Sequence, residues 1–432
     1  MESMMNMTEK LKEIPYWLDP QPLTKSYTGK PLPGKTDVLV VGGGYTGTTA
    51  AIRLKQAGTQ VTLIDREKLA TTASARNGGM TLTGLSDGVS KFIKKLGIEK
   101  TRQLFAESLE TVTCVESLVQ EGHIDCQFNR YGHLEAAFKP SHYEGLKRTQ
   151  ELLSSHFDHT TQLIPAAQLN SEIGSDLYHG GLLDPISAGL HPGRYIAGLI
   201  KMADQLGVDL YEKVDAESFA YNGNAFSLTT TRGTITAADV IVATNGYTGR
   251  FTPWLQRRII PAYSVMIATE ELSEDLARSL IPKGRMIFDT KNLLYYFRLS
   301  PDGKRLLFGG RRRSLRKSLQ ENAAYLHQDL LSVYPQLKDY RIEYAWWGKV
   351  GITLDRLPHI GRLDGMYYAM GYCGHGVALA TYLGEKLAAM ISGKGTNTAF
   401  ADQDCITIPF YRGNPWFMPL INYYLSVMDR IK

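Results

Sequence analysis

The sequence predicts a two-lobed α/β (α+β) protein: one lobe with a parallel, doubly wound nucleotide-binding sheet, the other an antiparallel sheet covered by helices on one face. Three stretches carry that prediction. Thr36 to Asp65 reads as strand, glycine loop, helix, strand and terminal acid. Asp239 to Tyr247 is another apolar strand that runs into a glycine loop. From Ile260 to Trp347 the pattern turns to the period-two alternation of half-buried strands.

In the first stretch, Val38 to Val41 is a short β-branched run of the kind a buried parallel strand uses. Gly42, Gly44 and Gly47 follow at G-x-G-x-x-G spacing, and Tyr45 to Ala57 reads as a helix that Gly58 ends. Gly42 allows the tight turn, Gly44 lets backbone approach a pyrophosphate, and Gly47 lets helix pack close on strand. The helix N-terminus at Tyr45 and Thr46 offers free N–H groups to phosphate. Val61 to Ile64 is a second buried strand; Asp65 at its end, with Arg66 next, is placed to accept from a ribose 2′-OH. A lone glycine triplet often serves a turn, but the whole unit predicts dinucleotide binding.

Before it, Met1 to Lys35 reads as an arm anchored by Tyr16 and Trp17. After it, Ser74, Ala75, Arg76, Asn77, Gly78 and Gly79, then Met80, form a loop able to press backbone on a flat ligand. Asp87 to Gln120 is helical in pattern, and Cys126 to Phe138 is expected to make a hairpin turning at Tyr131-Gly132. Arg148 to Ser154 and Ala166 to Ile173 are expected helices, as is Tyr195 to Leu206, opened by His191-Pro192. Val208 to Tyr211, Val214 to Phe219 and a hairpin from Phe226 to Ile235 lead into the strand at Asp239. Ligands in open α/β sheets bind outside the carboxyl ends of strands, which makes Thr244, Asn245 and Gly246 candidates on the cofactor side. Tyr263 to Thr269, Arg285 to Phe288, the hairpin Leu293 to Gly309 and Tyr340 to Trp347 are the strands of the second lobe. Met366 to Met370 is strand-like. The loop Gly371 to Gly376 then opens a strongly apolar helix, Val377 to Ile391, whose N-terminus suits an oxygen-rich ligand.

At 432 residues the chain can bury two cores, and 43% apolar against 21% charged residues describes a folded, soluble protein. The net charge of +5 is scattered, apart from Arg311, Arg312, Arg313, Arg316 and Lys317, which read as a solvated face and not a nucleic-acid patch. Four cysteines without C-x-x-C spacing, and no apolar leader, fit a reduced cytoplasmic setting. No run approaches a membrane span. The amphipathic tail, Pro415 to Lys432, is expected to pack on the core or form a dimer contact. No cluster suggests a metal, a Ser-His-Asp triad or a paired-carboxylate hydrolase.

Together VVGGGYTG, TLIDRE, SARNGG, VIVATNGYT, WWGKVGITLDRLPHIG and GYCGHGVALA resemble FAD flavoproteins of the D-amino-acid-oxidase family, in particular the branch containing γ-glutamylputrescine oxidoreductases. The resemblance covers nearly the whole chain. It implies a glutathione-reductase-like FAD lobe, in which Asp65 holds the adenosine ribose and Ser74 to Gly79 run along the isoalloxazine. It also implies that Val214 meets the adenine through its backbone and that Gly374, His375, Gly376 and Val377 face the pyrimidine edge. The expected division is 1–35 arm; 36–85, 185–250 and 348–400 FAD lobe; 86–184 and 251–347 substrate lobe; 401–432 tail. Two departures matter. The sarcosine-oxidase branch has a flavin-linking cysteine where this chain reads Trp346-Trp347-Gly348-Lys349, so FAD is expected to be non-covalent. That branch also has a carboxylate-binding lysine just after G-H-G, where this chain has Val377 and Ala378.

In such enzymes the cofactor does the hard chemistry and the protein binds, orients and desolvates. The resemblance implies oxidation of a C–N bond in an amine, with oxygen or a quinone or dye as acceptor; oxidation of a small amino acid is the alternative. An amine must lose its proton first, and with a pKa near ~10.4 only about 1 in 10³ is neutral at pH 7. A dry aromatic pocket recovers part of that. Its candidates are Tyr263, Tyr295 or Tyr296, Trp346 or Trp347, and Tyr372. His375 could touch substrate or be structural. Arg298, on the same strand face as Tyr296, could hold a distant carboxylate or lie at the surface.

Overall fold

The computed structural model describes residues 11–311, 317–395, 397–401 and 404–431. Arg312, Arg313 and Arg316 of the basic run, and the first residues of the arm, lie outside the described residues.

Two eight-stranded sheets organise the chain. The first contains β1 (Lys35–Val41), β2 (Val61–Asp65), β8 (Asp209–Glu212), β9 (Ala216–Tyr221), β10 (Phe226–Thr230), β11 (Gly233–Val242), β17 (His359–Leu363) and β18 (Met366–Met370). Its order is β17-β18-β11-β1-β2-β8, with β10 and β9 hanging from β11. From β18 to β8 all pairs are parallel. The second contains β4 (His133–Ala136), β5 (Gln162–Pro165), β6 (Gly180–Asp184), β12 (Ile260–Thr269), β13 (Met286–Asp289), β14 (Tyr295–Leu299), β15 (Leu306–Arg311) and β16 (Ile342–Ile352), in the order β16-β12-β15-β14-β13-β4-β6-β5. A short pair, β3 (Met80–Thr81) with β7 (Ala188–Gly189), lies between them in the chain.

The α-helices are α1 (Tyr45–Gln56), α2 (Val89–Leu96), α3 (Ile98–Glu121), α4 (Pro140–His156), α5 (Pro192–Gln205), α6 (Pro253–Gln256), α7 (Glu274–Leu280), α8 (Leu319–Val333), α9 (Gly376–Ile391) and α10 (Met418–Ile431). Local chemistry explains several ends. Ser318 and Glu321 form a capping box at the start of α8, and Ser273 accepts the Leu276 N–H to cap α7. Pro192 takes the first position of α5, while the His191 ring accepts the Arg194 N–H. Helices α1, α5 and α9 share one apolar core with β1 and β2; the second sheet has its own core beneath α7 and α8. No helix among the described residues is long and apolar enough to cross a membrane.

Several expectations need correction. The hairpin over Cys126 to Phe138 does not form: Asn129 bridges Gly189, and β4 instead lies between β13 and β6. Its pairing with β13 is parallel, so the second sheet is not wholly antiparallel. The long helix from Asp87 is two helices, broken where Gly97 takes φ +80°. The Phe226 hairpin and the strand at Asp239 share one continuous strand, β11, whose first half pairs antiparallel with β10 and which pairs parallel with β1 from Thr236 to Val242.

The arm lies on the body from its first described residues. Lys12 exchanges backbone hydrogen bonds with Glu343 and Ala345, and Trp17 is fully buried.

Candidate active site

The carboxyl ends of β1, β2 and β11, the N-termini of α1 and α9 and one face of the second sheet converge on a cleft of about 760 Å³. That is the size of a small-molecule or cofactor site. At its nucleotide end Gly42 has φ +112°, and a Cβ there would lie 2.8 Å from the Ala243 carbonyl oxygen. At Gly47 a Cβ would lie 1.9 Å from the Gly42 carbonyl oxygen, so the helix sits on the strand as only glycine permits. The Asp65 carboxylate accepts the Gly43 and Glu67 N–H groups at 2.8 Å each, and burial pushes its pKa up.

The loop after β2 is held from inside and out. Ser74 Oγ accepts the Tyr45 N–H at 3.2 Å, and the Tyr45 hydroxyl donates to the Ser74 carbonyl. The Asn77 amide donates to the Ala73 and Ser74 carbonyls and its Oδ1 accepts the Gly79 N–H. Two indoles grip the loop from different parts of the chain: Trp17 Nε1 donates to the Asn77 carbonyl at 2.8 Å, and Trp346 Nε1 to the Arg76 carbonyl at 3.0 Å. Opposite, His375 stands just before α9 without a side-chain capping bond, its Nδ1 buried and unpartnered among the described residues, and burial pulls its pKa down to about 4, so the ring is neutral.

Across the second sheet one row of residues faces the cleft. Cross-strand register aligns Gly309, Tyr296, Phe288, Glu135 and Leu182 on β15, β14, β13, β4 and β6. The Tyr296 ring lies against Gly309, where a Cβ would sit 2.2 Å from Cζ, and beside Gly78 of the loop. Its hydroxyl donates to Ser264 Oγ at 2.8 Å, since Ser264 itself donates to the Gly310 carbonyl. Burial raises the Tyr296 phenol to about 12, so it stays protonated.

Residues 37–390 match the family described as DAO, FAD dependent oxidoreductase. The chain belongs to this family. It is similar to γ-glutamylputrescine oxidoreductase of Escherichia coli, 34% identical over 91% of this chain and 93% of that one. It is equally similar to the probable oxidoreductase OrdL of Haemophilus influenzae, 34% identical over 83% of each chain. Among solved structures, glycine oxidase from Geobacillus kaustophilus superposes with a TM-score of 0.72 over 87% of this chain and 100% of that one, at 20% identity, a likeness of fold.

The protein is thus an FAD-dependent oxidoreductase, and the cleft fits the cofactor. Gly42 and Gly44 of the turn line the cleft, Asp65 closes the end of β2, and among the described residues His375 Nδ1 is a buried polar atom with no partner. Of the residues singled out from sequence, Gly42, Gly44, Tyr45, Thr46, Asp65, Arg66, Ser74, Arg76, Asn77, Gly78, Met80, Val214, Thr244, Asn245, Gly348, Gly374, His375, Gly376 and Val377 line the cleft, as do Tyr263 and Tyr296. The Val214 N–H donates to the Asp65 carbonyl at 2.9 Å, which leaves its carbonyl for a ligand.

Tyr372 lines it too, but Tyr295, Trp346, Trp347, Gly47, Gly79, Gly246 and Arg298 do not. Gly47 and Gly79 serve close packing, and Gly246 backs onto Gly351 instead. Arg298 is neither at the surface nor a cleft anchor: it is 1% exposed, and its guanidinium donates to the Gly79, Leu190 and Leu299 carbonyls. Desolvation lowers its pKa to about 10. Its side chain stays with the loop, where it shares the Gly79 carbonyl with the Leu190 N–H (2.9 Å) and adds donors to the Leu190 and Leu299 carbonyls.

Sequence reading missed three residues. Lys349 lines the cleft over the rings of Tyr247 (4.4 Å) and Tyr263 (5.6 Å). Cys373 also lines it, with a thiol that burial keeps protonated. Glu135 could have been found as the acid of an alternating His-Leu-Glu-Ala strand.

Proposed function

We propose that this flavoprotein oxidises a C–N bond of an amine to an imine, which water converts to aldehyde and ammonia, with hydrogen peroxide formed when oxygen is the acceptor. The observation that carries this reading is the wall made by β14, β13, β4 and β6. It presents Tyr296, Phe288, Glu135 and Leu182 to the cleft, none of them a cation, while the cations that line it, among them Arg76, Lys349 and Arg356, come from other segments. Val377 and Ala378 after Gly376, and the inward-turned Arg298, support it. So does the similarity to a γ-glutamylputrescine oxidoreductase.

FAD, when bound, supplies the acceptor for the hydride from the carbon beside nitrogen. The chain's residues do the rest. The Gly42–Gly47 turn and Asp65 bind the nucleotide; Ser74 to Gly79, pinned by Trp17 and Trp346, and the Gly374–Val377 turn hold its reactive end. Tyr263 and Tyr296 wall off water, which favours the neutral amine over the ammonium. On this reading residues 36–85, 185–250 and 348–400 form the cofactor lobe, and 86–184 and 251–347 the substrate lobe.

The test is steady-state turnover of putrescine, γ-glutamylputrescine, sarcosine, glycine and D-alanine, with oxygen and with a dye acceptor. Turnover of the amines, rising with pH toward the amine pKa, is expected. Turnover of the three amino acids and neither amine would reject the reading.

A further inference from the structure

Glu135 is a carboxylate with no partner. It projects from β4 into the cleft, and among the described residues it makes no hydrogen bond and no ion pair. Its flanking row neighbours are Phe288 and Leu182. Helices α3 and α4, which cover this end, contribute Thr101, Phe105, Thr149 and Leu153 and no charge.

The nearby titratable groups are already committed. His133, two residues back on the same strand face, is kept neutral by burial, meets Ser187 Oγ at 2.8 Å and stacks on Phe288. Asp184 on β6 is held by His159 at 2.7 Å and by Thr83. Asp289 on β13 is paired with Lys291 at 2.7 Å. Among the described residues no cation therefore neutralises Glu135, and burial together with Asp289 raises its pKa to about 7. An isolated carboxyl in an apolar cavity is costly, and structural roles are ordinarily filled by paired or apolar groups. A group kept in that condition inside a ligand cleft is a functional candidate.

We propose that Glu135 binds a second, positively charged nitrogen of the substrate, so that the cleft selects diamines, and N-substituted diamines that keep a distal ammonium, over monoamines. This rests on the amine reading above and deepens it. Glu135 is two strands from Tyr296 along one row, about 10 Å at the usual strand spacing. The two residues thus mark separate ends of one extended substrate: the distal ammonium at Glu135, the reacting nitrogen near Tyr296 and the Ser74–Gly79 loop. The apolar stretch at Phe288 suits the methylenes between.

Two readouts test this, one of them independent of turnover. Anaerobic calorimetry on holoenzyme reduced with dithionite measures putrescine binding without oxidation. Because the empty carboxyl sits near pKa 7, binding at pH 7 should release about half a proton from Glu135, seen as a dependence of the heat on buffer ionisation. Glu135→Gln should abolish that release. It should also lower the kcat/KM ratio of putrescine over butylamine by about 100-fold, as loss of one partner of a buried ion pair does. The wild-type acid limb near pH 7 in kcat/KM for putrescine should disappear as well.

Equal losses for putrescine and butylamine, with the proton release intact, would overturn the assignment while leaving amine oxidation standing. Failure of the wild-type enzyme to oxidise any amine would instead overturn the underlying reading, and this proposal with it. To exclude misfolding, melting at pH 8 serves as control. There Glu135→Gln should melt above the wild type, because it removes an unpaired, half-buried charge from the cleft wall; a lower melting temperature at pH 8 would count against the proposal.

Discussion

Replacing Gly47 with alanine should unseat the nucleotide end of the cleft. The new Cβ would lie 1.9 Å from the Gly42 carbonyl oxygen and 2.9 Å from Val40 Cγ1, against an ordinary contact of 3.4 Å or more. The oxygen cannot rotate away, because Gly42 is fixed by its N–H bond to the Ile64 carbonyl at 2.9 Å and by its own φ of +112°. Helix α1 must therefore retreat from β1 by roughly 1.5 Å, the shortfall between 1.9 and 3.4 Å. Retreat is blocked as well: on its other side α1 meets Gly384 of α9, where a Cβ would be only 2.5 Å from the Thr46 carbonyl oxygen. Overpacking a core costs about 1–3 kcal/mol, and a rigid backbone obstacle belongs at the upper end. For a chain of 432 residues, at about 1 °C per kcal/mol, the melting temperature should fall by roughly 3 °C. Flavin occupancy should fall too, since the N–H groups at the start of α1 move with the helix. Thermal melting and the flavin-to-protein absorbance ratio measure both, with Gly34→Ala as control, because a Cβ there meets nothing within 4 Å. A Gly47→Ala protein that melts within about 1 °C of wild type and keeps its flavin would refute the packing argument.

Asp65→Asn should weaken FAD binding by about 10- to 150-fold, the worth of a charge-assisted hydrogen bond to the ribose, in a titration of flavin-free protein; an unchanged dissociation constant would remove Asp65 as ribose ligand. FAD should be released intact by heat or acid, because Gly348 stands at the linkage position; flavin retained on the precipitated chain would instead point to Cys373, the cysteine lining the cleft. Arg298→Lys should lower the melting temperature and flavin occupancy, since an ammonium cannot replace a fork of donors to three carbonyls. A selective rise in KM for γ-glutamylputrescine would show instead that the guanidinium meets substrate. Stability should also fall on the acid side. His375 and His191 are each pulled by burial from 6.5 to about 4, so their contribution is full above pH 6.5 and is lost as pH falls through 4. The slope is up to about 1.4 kcal/mol per pH unit for each. Glu135, raised from 4.5 to about 7, acts in the opposite sense: its contribution is present below pH 4.5 and lost as pH rises through 7. Denaturant melts of wild type and Glu135→Gln from acid to neutral pH separate the two, and parallel curves would contradict these assignments.

The sequence by itself determined the nucleotide end of this protein. Strand, glycine turn, helix, strand and acid lie within Thr36 to Asp65, and the contact that requires Gly47, against the Gly42 carbonyl, is made inside that unit, although Gly42 itself meets Ala243 just past β11. The apolar helix after Gly374-His375-Gly376 was legible for the same reason, since an unbroken apolar run and its glycines are local signals. The substrate wall was not. Period-two alternation shows that Tyr296 and Arg298 share a strand face, and likewise His133 and Glu135, but not which neighbours stand across from them. Register decided that, by bringing β4 beside β13, more than a hundred residues later in the chain, and turning His133 and Glu135 inward under α3 and α4. It also sent Arg298 into the Gly79 and Leu190 carbonyls and carried Trp17 from the arm to the Asn77 carbonyl. A chain's own spacing sets turns and amphipathic faces, whereas contacts between distant strands depend on which strands the sheet brings side by side and in what register, and only the folded chain decides that.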